Sequence, residues 1–382
     1  MKAVTNDTLV LHTGFEYDGR TGAVSVPIYQ AVTYQQEGTG QNKGYIYSRA
    51  GNPTREALEK SIATLERGNR GLAFASGMAA ISAVLMLFSS GDHLVVSEVV
   101  YGGTYRLITQ VLNRMGIAAA FVDTTDLSAV EAAITPRTRA VFIESPTNPL
   151  MKVADIQALA AVCNRHKIKL IVDNTFMTPY WQNPLALGAD IVVHSATKYL
   201  GGHSDVLAGL VVTASQDLGE EVAFLQKAIG GVLGPYDCWL LMRGIKTLGV
   251  RMEKHESNAK VLAEWLSALP EVSRVYYPGL PEHPQHQLAQ KQARGFGGMI
   301  SFELVSPSLA ERFLRRLQLI TLAISLGGVE SLICLPAKTT HATYPLEVRE
   351  QLGITDSLVR LSVGIENVED LKQDILNALK TD

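Results

Sequence analysis

The stretch HSATKYLGG, residues 194–202, places a lysine where it could serve as a reactive amine. Lys198 follows an apolar run, has the hydroxyl residues Ser195 and Thr197 beside it, and precedes a glycine pair. A loop lysine is usually a solvated surface charge. In a dry site, however, lysine loses its proton and can form a Schiff base. The small and hydroxyl neighbours favour this second interpretation, because they supply donors and let a ligand approach closely.

A second chemical signal is Asp173, which ends the apolar run 170–172. A carboxylate after a buried strand is either a turn former or a site residue. Near Lys198, this carboxylate could hold a protonated pyridine nitrogen. Enzymes that use pyridoxal 5′-phosphate (PLP) combine an aspartate and a lysine in this way.

The third signal is the segment 75–80, Ala-Ser-Gly-Met-Ala-Ala, where a predicted strand runs into a helix. Small residues allow backbone N–H groups to point at an anion, and the helix N-terminus adds positive potential. Tight strand–helix packing is the alternative explanation. Together with the lysine and the aspartate, a phosphate cradle is the better interpretation.

Other chemistries lack their motifs. The glycines of segment 38–44 miss the GxGxxG spacing and follow no strand, and neither GxxxxGK[ST] nor GxSxG occurs. His255 and Glu256 have no second histidine to complete HExxH. We therefore expect no dinucleotide site and no metal ion.

Apolar runs alternate with helical patterns from about residue 70. The predicted strands are 72–75, 93–96, 119–122, 140–143, 170–172, 191–193 and 207–212. Helices are predicted between several of them, at 104–115, 127–134 and 156–166. Strands that are apolar on both faces and joined by helices indicate an α/β fold with a mostly parallel seven-stranded sheet. Reactive groups in such folds collect at the carboxyl ends of the strands.

Changes in pattern predict three regions: an N-terminal arm at 1–50, a cofactor-binding domain at 51–245 and a smaller C-terminal α+β domain at 246–382. The arm has little periodicity, which suits an extended segment lying on a second subunit. The last domain is predicted from helices at 247–269, 309–316 and 368–379 and strands at 274–277, 299–304 and 358–363.

Composition excludes several classes of protein. The chain has 382 residues, 47% of them hydrophobic, and a net charge of −3, which gives no electrostatic footprint for nucleic acid. Its three cysteines are far apart and suggest no disulfide framework. No signal peptide is evident, and the apolar stretch 79–88 is too short to span a bilayer. We expect a soluble cytoplasmic protein without membrane or nucleic-acid partners.

The motifs, taken together, resemble the Cys/Met-metabolism family of PLP enzymes, the trans-sulfuration enzymes. The resemblance extends from about residue 12 to the C-terminus. It is carried by the segments 47–54, 75–79, 100–104, 144–149, 172–176, 194–205, 325–331 and 360–366. It implies the aspartate-aminotransferase-like fold (fold type I) and PLP as the cofactor.

The resemblance assigns cofactor contacts to specific positions. Lys198 would carry PLP and shuttle protons, and Asp173 would pair with the pyridine nitrogen. Tyr101 would stack on the ring and act as a second catalytic residue by helping to activate the incoming amine, and Asn148 would lie near the ring hydroxyl. The phosphate-binding positions would be Gly77, Met78, Ser195 and Thr197, with Tyr47 and Arg49 reaching the phosphate of the neighbouring subunit. This shared site implies a dimer, and two such dimers usually form a homotetramer in this family.

Substrate contacts are also implied by the resemblance. Arg360 would grip the α-carboxylate of an amino-acid substrate through a bidentate contact, assisted by Ser325. The acidic Glu330 suits a substrate whose far end carries an ammonium group, as in L-cystathionine. Ile46 stands where many relatives have a carboxylate, which argues for broader recognition of that far end.

Within the family, a few positions favour γ-cleaving or γ-replacing members. Methionine γ-lyases typically have a cysteine at the position of Gly103, and cystathionine β-lyases have aromatic residues where this chain has Leu326 and Val329. The resemblance thus indicates a cystathionine γ-lyase, which releases cysteine, 2-oxobutanoate and ammonia and could also act on homocysteine. A cystathionine γ-synthase is the alternative. A pseudoenzyme that kept only the fold predicts a broken catalytic set, whereas Lys198 and its partners are all present.

Overall fold

The computed structural model describes residues 4–380, so the outer ends of the predicted arm and C-terminal domain, residues 1–3 and 381–382, lie outside the described residues. The strands are β1 Arg70–Phe74, β2 His93–Ser97, β3 Ala118–Val122, β4 Thr138–Glu144, β5 Lys169–Asp173, β6 Ile191–Ser195, β7 Gly209–Thr213, β8 Val272–Tyr276, β9 Met299–Leu304, β10 Thr321–Leu322, β11 Leu332–Cys334 and β12 Leu358–Ser362. The α-helices are α1 Asn6–His12, α2 Pro53–Leu65, α3 Gly77–Leu85, α4 Gly102–Arg106, α5 Leu127–Ala133, α6 Ile156–His166, α7 Thr178–Trp181, α8 Gln216–Ile229, α9 Pro235–Ile245, α10 Leu248–Ser267, α11 His286–Gln292, α12 Pro307–Arg316, α13 Leu346–Gln351 and α14 Val368–Leu379.

The larger sheet has seven strands in the order β1-β7-β6-β5-β4-β2-β3. Neighbouring strands are parallel, except that β7 runs antiparallel to both β1 and β6. The strands are apolar on both faces because helices cover both sides, which is why they appear as continuous apolar runs in the sequence. The predicted α/β architecture is confirmed. The parallel neighbours β4, β5 and β6 end side by side, so Glu144, Asp173 and Ser195 meet at one edge.

Capping side chains mark the starts of helices α2 and α3. Asn52 caps α2, accepting from the backbone N–H groups of Thr54 and Arg55. Ser76 caps α3 in the same way through Ala79. The predicted helix at 104–115 is instead a short α4 followed by a π-helical turn, Leu107–Leu112, and a 3₁₀ turn. The Thr109 hydroxyl donates to the Tyr105 carbonyl, four residues earlier. Such a side-chain bond competes with the backbone hydrogen bonds of the helix.

The N-terminal arm is helical at its start. Helix α1 lies against its own chain: the Asn6 amide donates to the Tyr180 carbonyl at 3.1 Å, and the Tyr180 hydroxyl donates to Asp7 at 2.7 Å. Between α1 and α2 the backbone forms turns and isolated bridges, as the weak periodicity indicates. Several large apolar side chains of this segment are exposed, among them Val24 at 80% and Val32 at 56%.

The smaller sheet has five strands in the order β10-β11-β12-β9-β8. Its core includes Phe302, Phe313 and Leu361, packed under α10, α12 and α14. Helix α10 spans both cores, because Met252 packs with the larger sheet and Leu262 with the smaller one. The predicted helix at 368–379 has the bounds of α14. Within residues 4–380, no helix combines the length and apolar character that crossing a membrane requires.

Candidate active site

A cavity of about 170 Å³, partly open to solvent, lies at the carboxyl ends of β4, β5 and β6. It brings together ten of the residues predicted from the sequence, although they come from distant parts of the chain. These are Gly77, Met78, Tyr101, Asn148, Asp173, Ser195, Thr197, Lys198, Ser325 and Arg360. The remaining wall is formed by Ser76, Ile81, Glu144, Thr175, Phe176, Leu207, Ile324, Leu326 and Thr340.

Lys198 has the properties of a reactive amine. Its Nζ donates to the Ser325 hydroxyl at 2.8 Å. Burial, and secondly the positive charge of Arg360, lower the pKa of Lys198 to about 8. About one amine in ten is then neutral at pH 7, whereas an exposed lysine is almost wholly protonated there. The lysine can therefore act as nucleophile and base near neutral pH.

Asp173 is a buried carboxylate held in a fixed orientation. Its Oδ1 accepts from the backbone N–H of Thr175 at 3.0 Å and from the Thr175 hydroxyl at 2.5 Å. Burial raises the pKa of Asp173, while the bonds from Thr175 and the nearby His194 act in the opposite direction. A cation bound beside this carboxylate would favour its ionised form. The arrangement suits a protonated ring nitrogen.

The start of α3 approaches β6 so closely that only glycine fits. A Cβ on Gly77 would lie 2.8 Å from the Ser195 Cβ. A Cβ on Gly209 would lie 2.1 Å from the Ser76 carbonyl oxygen. The result is a small concave surface where a helix N-terminus, Ser195 and Thr197 line one cavity, and a helix N-terminus favours an anion.

Tyr101 stands at the cavity wall at the N-terminus of α4, 40% exposed. Its backbone N–H donates to Glu144 at 2.9 Å. A Cβ on Gly103 would lie 2.5 Å from the Tyr101 ring and 2.8 Å from the Met78 sulfur. The absence of a side chain at Gly103 therefore gives the ring its place, a requirement that the sequence does not reveal.

Arg360 is buried, with 2% of its surface exposed, and is already oriented by the protein. Its two terminal nitrogens donate to the Asn148 side-chain oxygen at 3.0 Å and to the Ser325 carbonyl at 2.8 Å. Its Nε has no partner among the described residues. Ser325 adopts φ of +144°, which L-residues rarely do, and such strain collects at functional sites. A guanidinium with donors to spare suits a carboxylate ligand.

Three predicted residues do not line the cavity of their own chain. Tyr47 and Arg49 lie on the arm, where the guanidinium is 5.6 Å from the tyrosine ring centroid and donates to the Lys227 carbonyl at 2.7 Å. Glu330 accepts a hydrogen bond from the Ser204 hydroxyl instead. The expected contact of Glu330 with the far end of the substrate stays a prediction.

Apolar side chains form part of the cavity wall. Ile324 and Leu207 line the cavity although 69% and 63% of their surfaces are exposed, so they lie at its mouth. Leu326 adds a buried apolar contact. These residues lie on loops and carry no periodic signal, which is why sequence reasoning did not find them.

Glu144 is a site residue that the sequence analysis missed. It ends β4 and pairs in register with Asp173 at the end of β5. Burial, and secondly the negative charge of Asp173, raise the pKa of Glu144 well above its ordinary value. Like Asp173, Glu144 is a carboxylate that follows a buried apolar run, 140–143. The same sequence pattern therefore indicates it as a site residue. Among residues 4–380, no cluster of three or more His, Cys, Asp or Glu side chains could hold a metal ion.

Comparison with known proteins identifies the family. A family model described as "Cys/Met metabolism PLP-dependent enzyme" matches residues 7–380. Cystathionine gamma-lyase of Bacillus subtilis is 59% identical over 373 residues, covering 98% of both chains. Cystathionine beta-lyase of Lactococcus lactis is 57% identical with the same coverage. The crystal structure of cystathionine gamma-lyase from Lactobacillus plantarum complexed with L-serine has a TM-score of 0.96 at 52% identity, covering 98% of each chain.

The chain belongs to the Cys/Met-metabolism family of PLP-dependent enzymes, and it is a carbon–sulfur lyase of the cystathionine lyase type. Its cofactor is PLP. The cavity fits this group, because the glycine-dependent cradle at Gly77 suits a phosphate and Lys198 offers an amine of lowered pKa. The pseudoenzyme alternative is therefore dropped.

Proposed function

We propose that the enzyme cleaves the γ carbon–sulfur bond of L-cystathionine, giving cysteine, 2-oxobutanoate and ammonia, and that it also accepts homocysteine. The observation that carries the reaction is that an amine of lowered pKa, Lys198, and a buried, oriented guanidinium, Arg360, line one cavity. The γ assignment is supported by the relatives from B. subtilis and L. plantarum, which are named cystathionine gamma-lyases.

The proposed cofactor contacts follow from the cavity wall. PLP, when bound, withdraws electrons from the carbon skeleton of the amino acid. Lys198 would carry it, Asp173 would hold its ring nitrogen, and Tyr101 would lie on its ring face. Asn148 would lie near the ring hydroxyl, and the phosphate would be held by Gly77, Met78, Ser195 and Thr197.

Proton transfer is assigned to Lys198. Its amine sits on a flexible four-carbon side chain at the end of β6, with the Ser325 hydroxyl within 2.8 Å. An amine with a pKa near 8 can take a proton from one substrate carbon and return it to the next at neutral pH. Arg360, fixed by Asn148 and the Ser325 carbonyl, would hold the α-carboxylate so that both carbons stay within reach.

Cleavage at the β carbon is the second candidate. It is favoured by the Lactococcus lactis relative, which is named a cystathionine beta-lyase at 57% identity. The γ-synthase reaction is a third outcome, because replacement and elimination use the same proton transfers. The proton-transfer residues alone therefore do not separate these activities.

Product analysis separates the three. With L-cystathionine, we expect 2-oxobutanoate and cysteine, and with homocysteine we expect a 2-oxo acid and sulfide. Pyruvate and homocysteine as the main products of L-cystathionine would contradict the γ proposal in favour of β cleavage. Net cystathionine from an O-acylhomoserine and cysteine, without elimination, would indicate a synthase. Lys198→Ala is the control, since it should form none of these products.

We further propose that the active site is shared between two subunits, with residues 1–50 as the contacting arm, 51–245 as the cofactor domain and 246–382 as the smaller domain. The exposed apolar residues of the arm support this, as does the position of Tyr47 and Arg49 away from their own cavity. Two dimers would form a homotetramer. Cys163, Cys238 and Cys334 are buried free thiols, which suits a reducing compartment such as the cytoplasm.

Mixed subunits test the shared site. Arg49→Ala and Lys198→Ala should each be nearly inactive alone, because each would remove a contact from every site. Co-expressed in equal amounts with different tags, they should regain about a quarter of parental activity, since half of random dimers contain one intact site of two. Activity in the mixture no higher than in the separate variants would contradict an active site shared between two subunits. Arg49→Ala mixed with itself under both tags is the control.

A further inference from the structure

A continuous series of hydrogen bonds surrounds the cavity. The Tyr101 N–H donates to Glu144 Oε2 at 2.9 Å, and the Asn148 N–H donates to Glu144 Oε1 at 3.0 Å. Arg360 then joins the Asn148 side chain to the Ser325 carbonyl, and the Ser325 hydroxyl accepts from Lys198. Glu144 is the member of this series to which no role has been assigned above.

Glu144 joins two segments of the chain. Tyr101 starts α4, whereas Asn148 lies in the loop after β4. Each carboxylate oxygen accepts from a different backbone N–H, so the side chain bridges the two backbones. Only 6% of Glu144 is exposed, so water cannot readily replace these bonds.

The location of Glu144 has an electrostatic cost. Asp173 lies beside it at the end of the neighbouring strand, and both carboxylates are buried. A buried carboxylate next to another is unfavourable unless its hydrogen bonds and nearby positive charge compensate. Arg360 supplies the nearby positive charge, and the two N–H groups supply the bonds.

We propose that Glu144 is a positioning residue that fixes the Tyr101 ring and the Asn148–Arg360 pair relative to each other, so that the ring contact and the carboxylate grip form one unit. This inference rests on the proposed function in one respect, the role of Arg360 in binding the substrate carboxylate. It assigns no proton transfer to Glu144.

Glu144→Gln is the informative variant because it keeps the shape and changes one hydrogen bond. A glutamine has one oxygen and one NH₂ group, so its NH₂ must face the N–H of either Tyr101 or Asn148. A buried N–H left without its acceptor corresponds to roughly a fivefold to hundredfold change. Glu144→Ala removes both bonds and should have the larger effect.

Glu256→Gln is the matched control. Glu256 is also 6% exposed and also accepts a backbone N–H, from Phe296 at 3.0 Å, but it does not line the cavity. It therefore reports what removal of a buried carboxylate does to stability alone. Both variants are compared by melting temperature as well as by binding.

The test uses the holoenzyme and butanoate, a carboxylate without an amine, titrated by the change in visible cofactor absorbance. Glu144→Gln should bind butanoate about tenfold or more weakly and raise KM by a similar factor. Its apoprotein should also bind PLP more weakly, whereas Glu256→Gln should match the parent in both. Parental affinities for butanoate and PLP in Glu144→Gln would overturn the proposal, even if kcat fell, because the role would then lie in the chemical step.

A second measurement does not depend on a variant. In the parent holoenzyme, hydrogen exchange should protect the amide protons of Tyr101 and Asn148 and release them together. Rapid, unrelated exchange of the two would overturn the proposal. Failure of the proposed function can be told apart from failure of the Glu144 proposal. If the parent forms only pyruvate from L-cystathionine, the γ assignment fails and the role of Glu144 stands. If the parent binds no butanoate, the role of Arg360 fails.

Discussion

Lys198→Ala should lower kcat with L-cystathionine by about 10⁴-fold or more, because one substitution removes both the amine that carries the cofactor and the base that moves protons. Steady-state assay of 2-oxo acid release measures this loss. PLP should still enter the cavity through the contacts of its phosphate and ring, but a borohydride-treated sample should retain no cofactor after denaturation.

Lys152→Ala is the matched control for this loss. Lys152 is also partly buried, but its amine pairs with Glu98 at 2.9 Å and Asp123 at 2.7 Å outside the cavity. Its removal should change the melting temperature and leave kcat near the parental value. Comparable activity in Lys198→Ala and the parent would contradict the assignment of the reactive amine.

Arg360→Lys should lower kcat/KM roughly 30-fold to 5,000-fold, mainly through a higher KM. This factor corresponds to a loss of about 2–5 kcal/mol of transition-state stabilisation. Lysine keeps the positive charge but cannot reproduce the planar guanidinium, which donates to Asn148 and to the Ser325 carbonyl at the same time. Initial-rate kinetics with L-cystathionine, together with butanoate binding, measure the effect.

Arg251→Lys separates this effect from a general loss of stability. Arg251 is 3% exposed, close to the 2% of Arg360, and donates to the carbonyls of Tyr199 at 2.6 Å and Gly244 at 2.8 Å. It should lower the melting temperature while leaving KM near the parental value. An unchanged KM in Arg360→Lys would contradict the proposed carboxylate grip.

The sheet could be predicted from the sequence because its strands are buried on both faces. Uninterrupted apolar runs such as 140–143 and 191–193 arise only where helices cover both sides. The same reasoning located Asp173 and Lys198, since strand ends meet at one edge. These parts of the site could therefore be predicted from short stretches of sequence, in which a polar residue follows a buried apolar run.

Other parts of the site depend on contacts between distant segments. The place of the Tyr101 ring follows from close approach to Gly103 and Met78, which no periodic pattern reports. Glu330 accepts a hydrogen bond from the Ser204 hydroxyl, a contact between distant segments that the sequence does not reveal, and its contact with the substrate stays a prediction. Ile324 at the mouth was missed because an isolated apolar residue in a loop has no signature.

The segment 104–115 is helical, as predicted, but it is not a regular α-helix. Its apolar spacing is helical, but the backbone widens to a π-helical turn at Leu107–Leu112. Helix existence follows from periodicity, whereas the local hydrogen-bond pattern depends on side chains that bond to the backbone. The domain boundaries stay predictions, and so does the arm's partner, which concerns contacts between subunits.

The most direct test of the account is to locate the cofactor on the chain. Borohydride reduction of the holoenzyme, digestion and mass spectrometry should find the phosphopyridoxyl group on the peptide that contains Lys198, with about one group per chain. The same treatment of Lys198→Ala should find none. A labelled peptide that lacks Lys198, or an unlabelled parent, would contradict the assignment on which the proposed roles of the surrounding residues depend.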